Sequence, residues 1–153
     1  MWIIDLSHYS FDSMPLNREE AVDCIIQGLR ERDVVVGTTG MLSRELFELR
    51  VKYGHGHEKD FLTVGSMGHA SSIALGVAMQ RPRRQIFCLD GDGATLMHMG
   101  NMSTVGNMAP ENYNHIVINN GAHDSVGGQP SDALSDNFDI CKVALGLGYK
   151  QVT

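Results

Sequence analysis

An aspartate between two glycines, Gly91-Asp92-Gly93, and an asparagine pair, Asn119-Asn120, stand 25 residues apart (positions 94–118), each directly after a short apolar run. A carboxylate and an amide oxygen are hard ligands of the kind Mg²⁺ selects. Mg²⁺ held by few protein groups also keeps positions for phosphate oxygens and water. Gly91 and Gly93 let the backbone come close to a bulky anion, and a helix starting near Ala94 turns unpaired N–H groups and a positive dipole end toward it. The chemistry expected is a Mg²⁺–diphosphate site. Singly, a G-D-G or an N-N-G is usually only a turn; their placement at successive strand ends, one crossover helix apart, is what joins them. The chain has no G-x-x-x-x-G-K-[ST] and no G-x-G-x-x-G after a strand, so a nucleotide fingerprint is not expected.

The elements that must position these residues follow from hydrophobic period and punctuation. Asn17 followed by Glu20 reads as a capped helix start, with Ala21, Val22, Ile25, Ile26 and Leu29 on one face. Val34-Val35-Val36 reads as a buried strand opening into Gly37-Thr38-Thr39-Gly40, after which Ser43 is expected to cap a helix carrying Leu46, Phe47 and Leu49. Phe61 to Val64 is expected as a strand stopped by Gly65-Ser66-Met67-Gly68. The small-residue stretch 70–78 reads as a central, closely packed helix. Further strands are expected at Gln85–Leu89 and Ile116–Ile118, a helix from Thr95 to Met108, a polar loop over 121–137, a last helix from Asp139 to Leu147, and the start of a strand at Tyr149–Thr153. Strands alternating with helices imply an α/β fold with a mainly parallel sheet, helices on both faces, and a ligand crevice at the carboxyl ends of the strands. The glycine turns at 37–40, 65–68, 91–93 and 121 should share that rim.

Composition fits one globular domain over residues 17–153, with 1–16 read as an arm or residual linker and the domain as truncated at its C-terminal end. With 12 Lys and Arg against 18 Asp and Glu, the net charge of −6 argues against a basic nucleic-acid binder. No apolar run reaches membrane length and the N-terminus lacks a signal-peptide pattern, so a cytoplasmic protein is expected. Cys24, Cys88 and Cys141 form no C-x-x-C pair and are read as reduced core residues.

Gly91-Asp92-Gly93 with Asn119-Asn120 matches the signature of thiamin-diphosphate enzymes. Two wider stretches, Gly65-Ser66-Met67-Gly68-His69-Ala70-Ser71-Ser72 and Asn119 to Pro130, resemble the phosphonopyruvate decarboxylases and their relatives, the sulfopyruvate decarboxylase β subunits. The resemblance covers about residues 14–153 and implies the diphosphate-binding half of such an enzyme. It implies that Asp92, the Asn120 side chain and the Ala122 carbonyl hold Mg²⁺, and that the backbone at Gly91, Gly93 and Ala94 meets the diphosphate. It further implies that the Gly65 carbonyl lies against the cofactor's amine, with Ser66 among the cofactor-binding residues, that Met67 wedges the cofactor's bend, and that Thr39 and Gly40 line the pyrimidine pocket. His69 and His123 lie beside these motifs as candidate catalytic residues, with His123, Gly127-Gly128 and Arg44 as donors to the substrate anion. His55 and His57 read as a solvated loop before a metal pair, and His98 and His115 as packing residues.

The reaction implied is decarboxylation of a 2-oxo acid, phosphonopyruvate to phosphonoacetaldehyde and CO₂, or else sulfopyruvate, since both present a tetrahedral anion. The glutamate such enzymes set against the pyrimidine matches no residue here. A pyrimidine-binding domain or α subunit is therefore expected as partner, in a homo- or hetero-oligomer, and the chain alone should be inactive. A non-catalytic cofactor-binding fragment is the rival reading.

Overall fold

The computed structural model describes residues 2–5 as a strand and residues 16–153 in full. Five parallel strands form one sheet: β1 (Trp2–Asp5), β2 (Val34–Gly37), β3 (Asp60–Leu62), β4 (Ile86–Gly91) and β5 (Tyr113–Asn119), in the order β1-β5-β4-β2-β3. A doubly covered parallel sheet suits β-branched runs, which are buried almost throughout while successive side chains turn to opposite faces. Val35 and Leu89 face one side with Ile116 and Ile118, while Val36, Ile86 and Cys88 face the other.

On the first side lie α1 (Arg18–Gly28) and α2 (Met41–Lys52), which bury Val22, Ile26, Leu46 and Leu49. Asn17 and Glu20 form a reciprocal cap at the start of α1: Asn17 Oδ1 accepts from the Glu20 N–H at 2.9 Å, and Glu20 Oε2 accepts from the Asn17 N–H at 2.7 Å. On the second side α3 (Ala70–Gln80) packs through Ala70, Ala74 and Ala78, whose small side chains let it lie close to β2 and β4. Leu75 of α3, Met102 and Val105 of α5 (Gly100–Met108), Ala144 of α6 (Ile140–Gly146) and Tyr149 form a further core.

Several boundaries differ from expectation. Residues 2–5, read as part of an arm, form the edge strand β1, in register from Trp2 opposite Ile116 to Asp5 opposite Asn119; the remainder of 1–15 lies outside the described residues. Ser43 lies inside α2 and its hydroxyl donates to the Thr38 carbonyl at 2.6 Å, while Gly40, at φ 101°, is the residue before the helix. The helix expected over 95–108 is two, α4 (Asp92–Met97) and α5, with the break at His98-Met99, and it starts at Asp92 rather than near Ala94. The 121–137 loop contains a small antiparallel hairpin, β6 (Ala122–His123) with β7 (Gln129–Pro130). Tyr149–Thr153 forms no strand; Tyr149 is buried in the core instead. Cys88 is buried, but Cys24 is exposed and Cys141 only partly covered; none of the three is joined in a disulfide. Among the described residues no helix is long and apolar enough to cross a membrane.

Candidate cofactor site

The register of the two central strands brings the chemistry together. Gly91 pairs with Ile118, so Asp92 and Asn119-Asn120 leave the sheet side by side at its carboxyl edge. A cleft there is lined by Thr38, Thr39, Met67, Gly91, Asp92, Gly93, Ala94, Asn120, Ala122 and His123, together with Arg18, Met41, Leu42, Ile118, Asp124 and Ser125. Residues from the loops after β2, β3, β4 and β5 thus meet on one rim, the location that open parallel sheets offer to ligands.

Asp92 is 2% exposed. Burial pushes its carboxyl above the usual range, only partly opposed by the hydrogen bond it accepts from the Ser131 hydroxyl and by backbone N–H donors including that of Gly93. A carboxylate in this state gains from a cation. Asn120 turns its amide oxygen to the Ala122 N–H at 3.2 Å and its Nδ2 to Asp124 at 2.8 Å. Ala122 stands opposite Pro130, which has no N–H, so its carbonyl takes no hydrogen bond from that residue. Asp92, Asn120 and Ala122 line the same cleft, so the ligand atoms they can offer are a carboxylate, an amide oxygen and a backbone carbonyl, an all-oxygen set. That set fits Mg²⁺ rather than a soft metal. Gly93 and Ala94, in the first turn of α4, are buried beside them.

The loops are braced. Thr39 Oγ1 donates to the Val64 carbonyl at 2.8 Å, tying the loop after β2 to the one carrying Met67. Asn101 Nδ2 donates to the Gly68 carbonyl at 3.0 Å from the other side. Gly68 has φ 85° and Ser66 φ 55°, a backbone bend that presents Met67.

Other expected residues stand apart. Gly65 and Ser66 are exposed and do not line the cleft, nor does Gly40, although a Cβ on it would meet the Ser125 side chain at 3.3 Å. His69 also lies outside; its ring packs against His98 with centroids 4.2 Å apart, and Nδ1 lies 3.2 Å from the Ser66 carbonyl. His123 lines the cleft. Arg44 is exposed, and the cation at the cleft is Arg18, which grips both Glu45 oxygens and also Asp124. Its guanidinium is held charged above its ordinary pKa chiefly by Glu45. Gly127 and Gly128 do not reach the cleft, whereas Ser125 does. His55 faces Arg50 and His57 stacks on Phe47, so the H-x-H pair points to separate partners.

Sequence reasoning missed Arg18, Thr38 and Ser131. Arg18 opens a helix remote in sequence, and only the neighbouring Thr39 hinted at Thr38. Thr38 is buried and its hydroxyl has no partner among the described residues. Such an orphan at a cleft wall marks where a ligand's polar atom fits.

A parallel sheet with a polar cleft at its carboxyl edge defines an α/β domain of the class that binds ligands at the strand ends. Residues 36–153 match the family described as thiamine pyrophosphate enzyme, C-terminal TPP binding domain, and the chain belongs to that family. It is 42% identical over 135 residues to phosphonopyruvate decarboxylase of Streptomyces viridochromogenes, covering 88% of this chain and 32% of that one. It is 35% identical to sulfopyruvate decarboxylase subunit beta of Methanocaldococcus jannaschii, covering 89% and 69%. The solved structure of benzoylformate decarboxylase from Polynucleobacter necessarius superposes with a TM-score of 0.65 at 15% identity, over 95% of this chain and 29% of that one. The chain thus spans about a third of the phosphonopyruvate decarboxylases it matches.

Proposed function

We propose that this chain is the diphosphate- and Mg²⁺-binding part of a thiamin-diphosphate decarboxylase acting on phosphonopyruvate, releasing CO₂ and phosphonoacetaldehyde. The observation that carries the reading is Asp92: a buried carboxyl whose charged form is disfavoured, facing a cleft shared with Asn120 and the Ala122 carbonyl. Asp92, Asn120 Oδ1 and the Ala122 carbonyl would hold Mg²⁺, and the Gly91, Gly93 and Ala94 backbone would meet the diphosphate. When bound, thiamin diphosphate supplies a nucleophilic carbon and an electron sink for loss of CO₂. Met67 would fix the bend between its rings, and His123 would stand as an N–H donor near the substrate anion.

The cleft holds about 70 Å³, well below the ~300 Å³ at which small-molecule pockets begin. It suits one end of a cofactor, with the other end enclosed by a pyrimidine-binding domain or α subunit that also supplies a glutamate. The carboxylates lining the cleft, Asp92 and Asp124, are engaged by Ser131 and by Arg18 and Asn120. Sulfopyruvate is the second substrate reading, favoured by the 69% of a separate β subunit that the chain spans. A cytoplasmic location goes with this reading, since three cysteines outside any disulfide fit a reducing compartment.

The test is CO₂ release from both substrates by the chain assembled with a pyrimidine-binding partner, beside calorimetry of Mg²⁺-dependent cofactor binding. Turnover of phosphonopyruvate in preference to sulfopyruvate supports the reading. Cofactor binding that survives Asp92→Ala would remove the metal assignment, and absence of turnover on either acid would remove the reaction.

A further inference from the structure

At the opposite edge of the sheet, the turn from α3 to β4 gathers Arg81, Arg83 and Arg84, and Arg32, just before β2, joins them. With Gln80 and Pro82 these four arginines line a concave pocket of about 240 Å³. Val34 and Ile86 begin β2 and β4 side by side, so the pocket sits at the amino ends of the strands, on the far rim from Asp92. A third of the 12 basic residues of a chain with net charge −6 collects in it. Among the described residues no carboxylate pairs with any of the four; the Arg81 guanidinium meets only the Gln80 carbonyl, at 3.3 Å. Four cations around one pocket without a counter-ion repel, and an anion between them relieves that.

The turn is held in shape from below. Asn112, 6% exposed, donates through Nδ2 to the carbonyls of Ala78, Arg81 and Arg84 at 3.1, 3.1 and 2.8 Å. The Arg84 N–H closes the turn onto the Arg81 carbonyl at 3.0 Å, and Pro82 fixes its own φ. Backbone ordering is therefore complete before a ligand arrives, which lowers the cost of binding. All four cations are arginines, whose planar fork matches phosphate oxygens two at a time, a fit a lysine cannot make.

We propose that Arg32, Arg81, Arg83 and Arg84 form a second anion site, distinct from the cofactor cleft, that binds a small linear polyphosphate, either free or as the phosphate chain of a nucleotide. A concave pocket of this size suits a compact polyanion rather than an extended one. No carboxylate lines it, so binding needs no Mg²⁺.

The full chain is titrated with tripolyphosphate by calorimetry, in EDTA and at physiological ionic strength to suppress diffuse attraction. Saturable binding of one anion per chain is expected, weakened about tenfold or more in Arg83→Ser/Arg84→Ser and unchanged in Asp92→Asn. Arg32→Ser, on a separate turn, should weaken it independently if the double variant fails to fold. ATP binding tighter than tripolyphosphate identifies a nucleotide as the source, and equal binding identifies the phosphate chain alone. Absence of saturable binding at millimolar tripolyphosphate, full affinity in the arginine variants, loss in Asp92→Asn, or displacement by an acidic peptide at lower concentration would each overturn the proposal.

Discussion

A Cβ built on Gly93 would lie 2.5 Å from Nδ1 of His123, so the imidazole fills the space that any other residue at 93 would claim. The glycine after Asp92 is thus fixed by a side chain from the hairpin after β5 as well as by any anion over the loop. Gly93→Ala should displace His123 and weaken Mg²⁺-dependent thiamin-diphosphate binding about tenfold or more, whereas Gly93→Ala/His123→Ala should recover most of the affinity. Equal losses in the single and double variants would mean that the alanine acts on the ligand directly and not through His123.

Asp92 is held in the fold at a cost in stability. Its folded pKa is raised by burial, so between the unfolded value of 3.8 and the higher folded value the native state binds more protons than the unfolded one. Its contribution to stability is therefore favourable at low pH and declines as pH rises through that window. Asp92→Asn should be more stable than the parent at neutral pH without Mg²⁺, the gap closing as pH falls toward 4, and should not bind Mg²⁺. Urea titrations at several pH values check this; a variant less stable than the parent at pH 7 contradicts it.

Asn112 ends three carbonyls at once. Replacing it with alanine removes a donor that all three share; the Ala78 and Arg81 carbonyls keep backbone N–H partners, while that of Arg84 loses the one it has, at a cost of about 1–3 kcal/mol. Urea unfolding of Asn112→Ala should show that loss with an unchanged slope, and the tripolyphosphate affinity of the arginine pocket should fall as its turn loosens. A change below the noise of the extrapolation would show that water replaces the amide.

Much of this arrangement was legible in the sequence because its signals are local. The Asn17–Glu20 cap, the β-branched strands and the two motifs at successive strand ends each lie within a few residues. What was not legible depends on partners far along the chain. Trp2–Asp5 has no period of its own and becomes a strand only through register with Ile116–Asn119. Ser43 has the composition of a cap but spends its hydroxyl on the Thr38 carbonyl inside α2. Arg18, on the first turn of the first helix, reaches the cleft because α1 packs on α2, where Glu45 anchors it. Arg44 is the nearer cation by sequence and points to solvent. The split between α4 and α5 escaped notice because no proline or helix-breaking pair marks His98-Met99.

Met67 tests whether the cleft does more than anchor a diphosphate. It lines the cleft from a loop braced on one side by Thr39 through the Val64 carbonyl and on the other by Asn101 through the Gly68 carbonyl. Two such tethers hold an unbranched apolar side chain at a defined height over the rim, where it would press on the bend between the cofactor's rings. Asp92, Asn120 and the α4 backbone are untouched by its truncation, so the anchor proposed for the diphosphate remains. Met67→Ala, assembled with a pyrimidine-binding partner, should therefore keep cofactor affinity within about threefold while kcat falls about 10²-fold, the loss expected when reacting groups are misplaced by about an ångström. Met67→Leu should recover part of the rate, since it restores bulk at the same height. A variant with normal kcat would make Met67 a simple wall residue, and one that loses affinity and rate together would place it in the anchor.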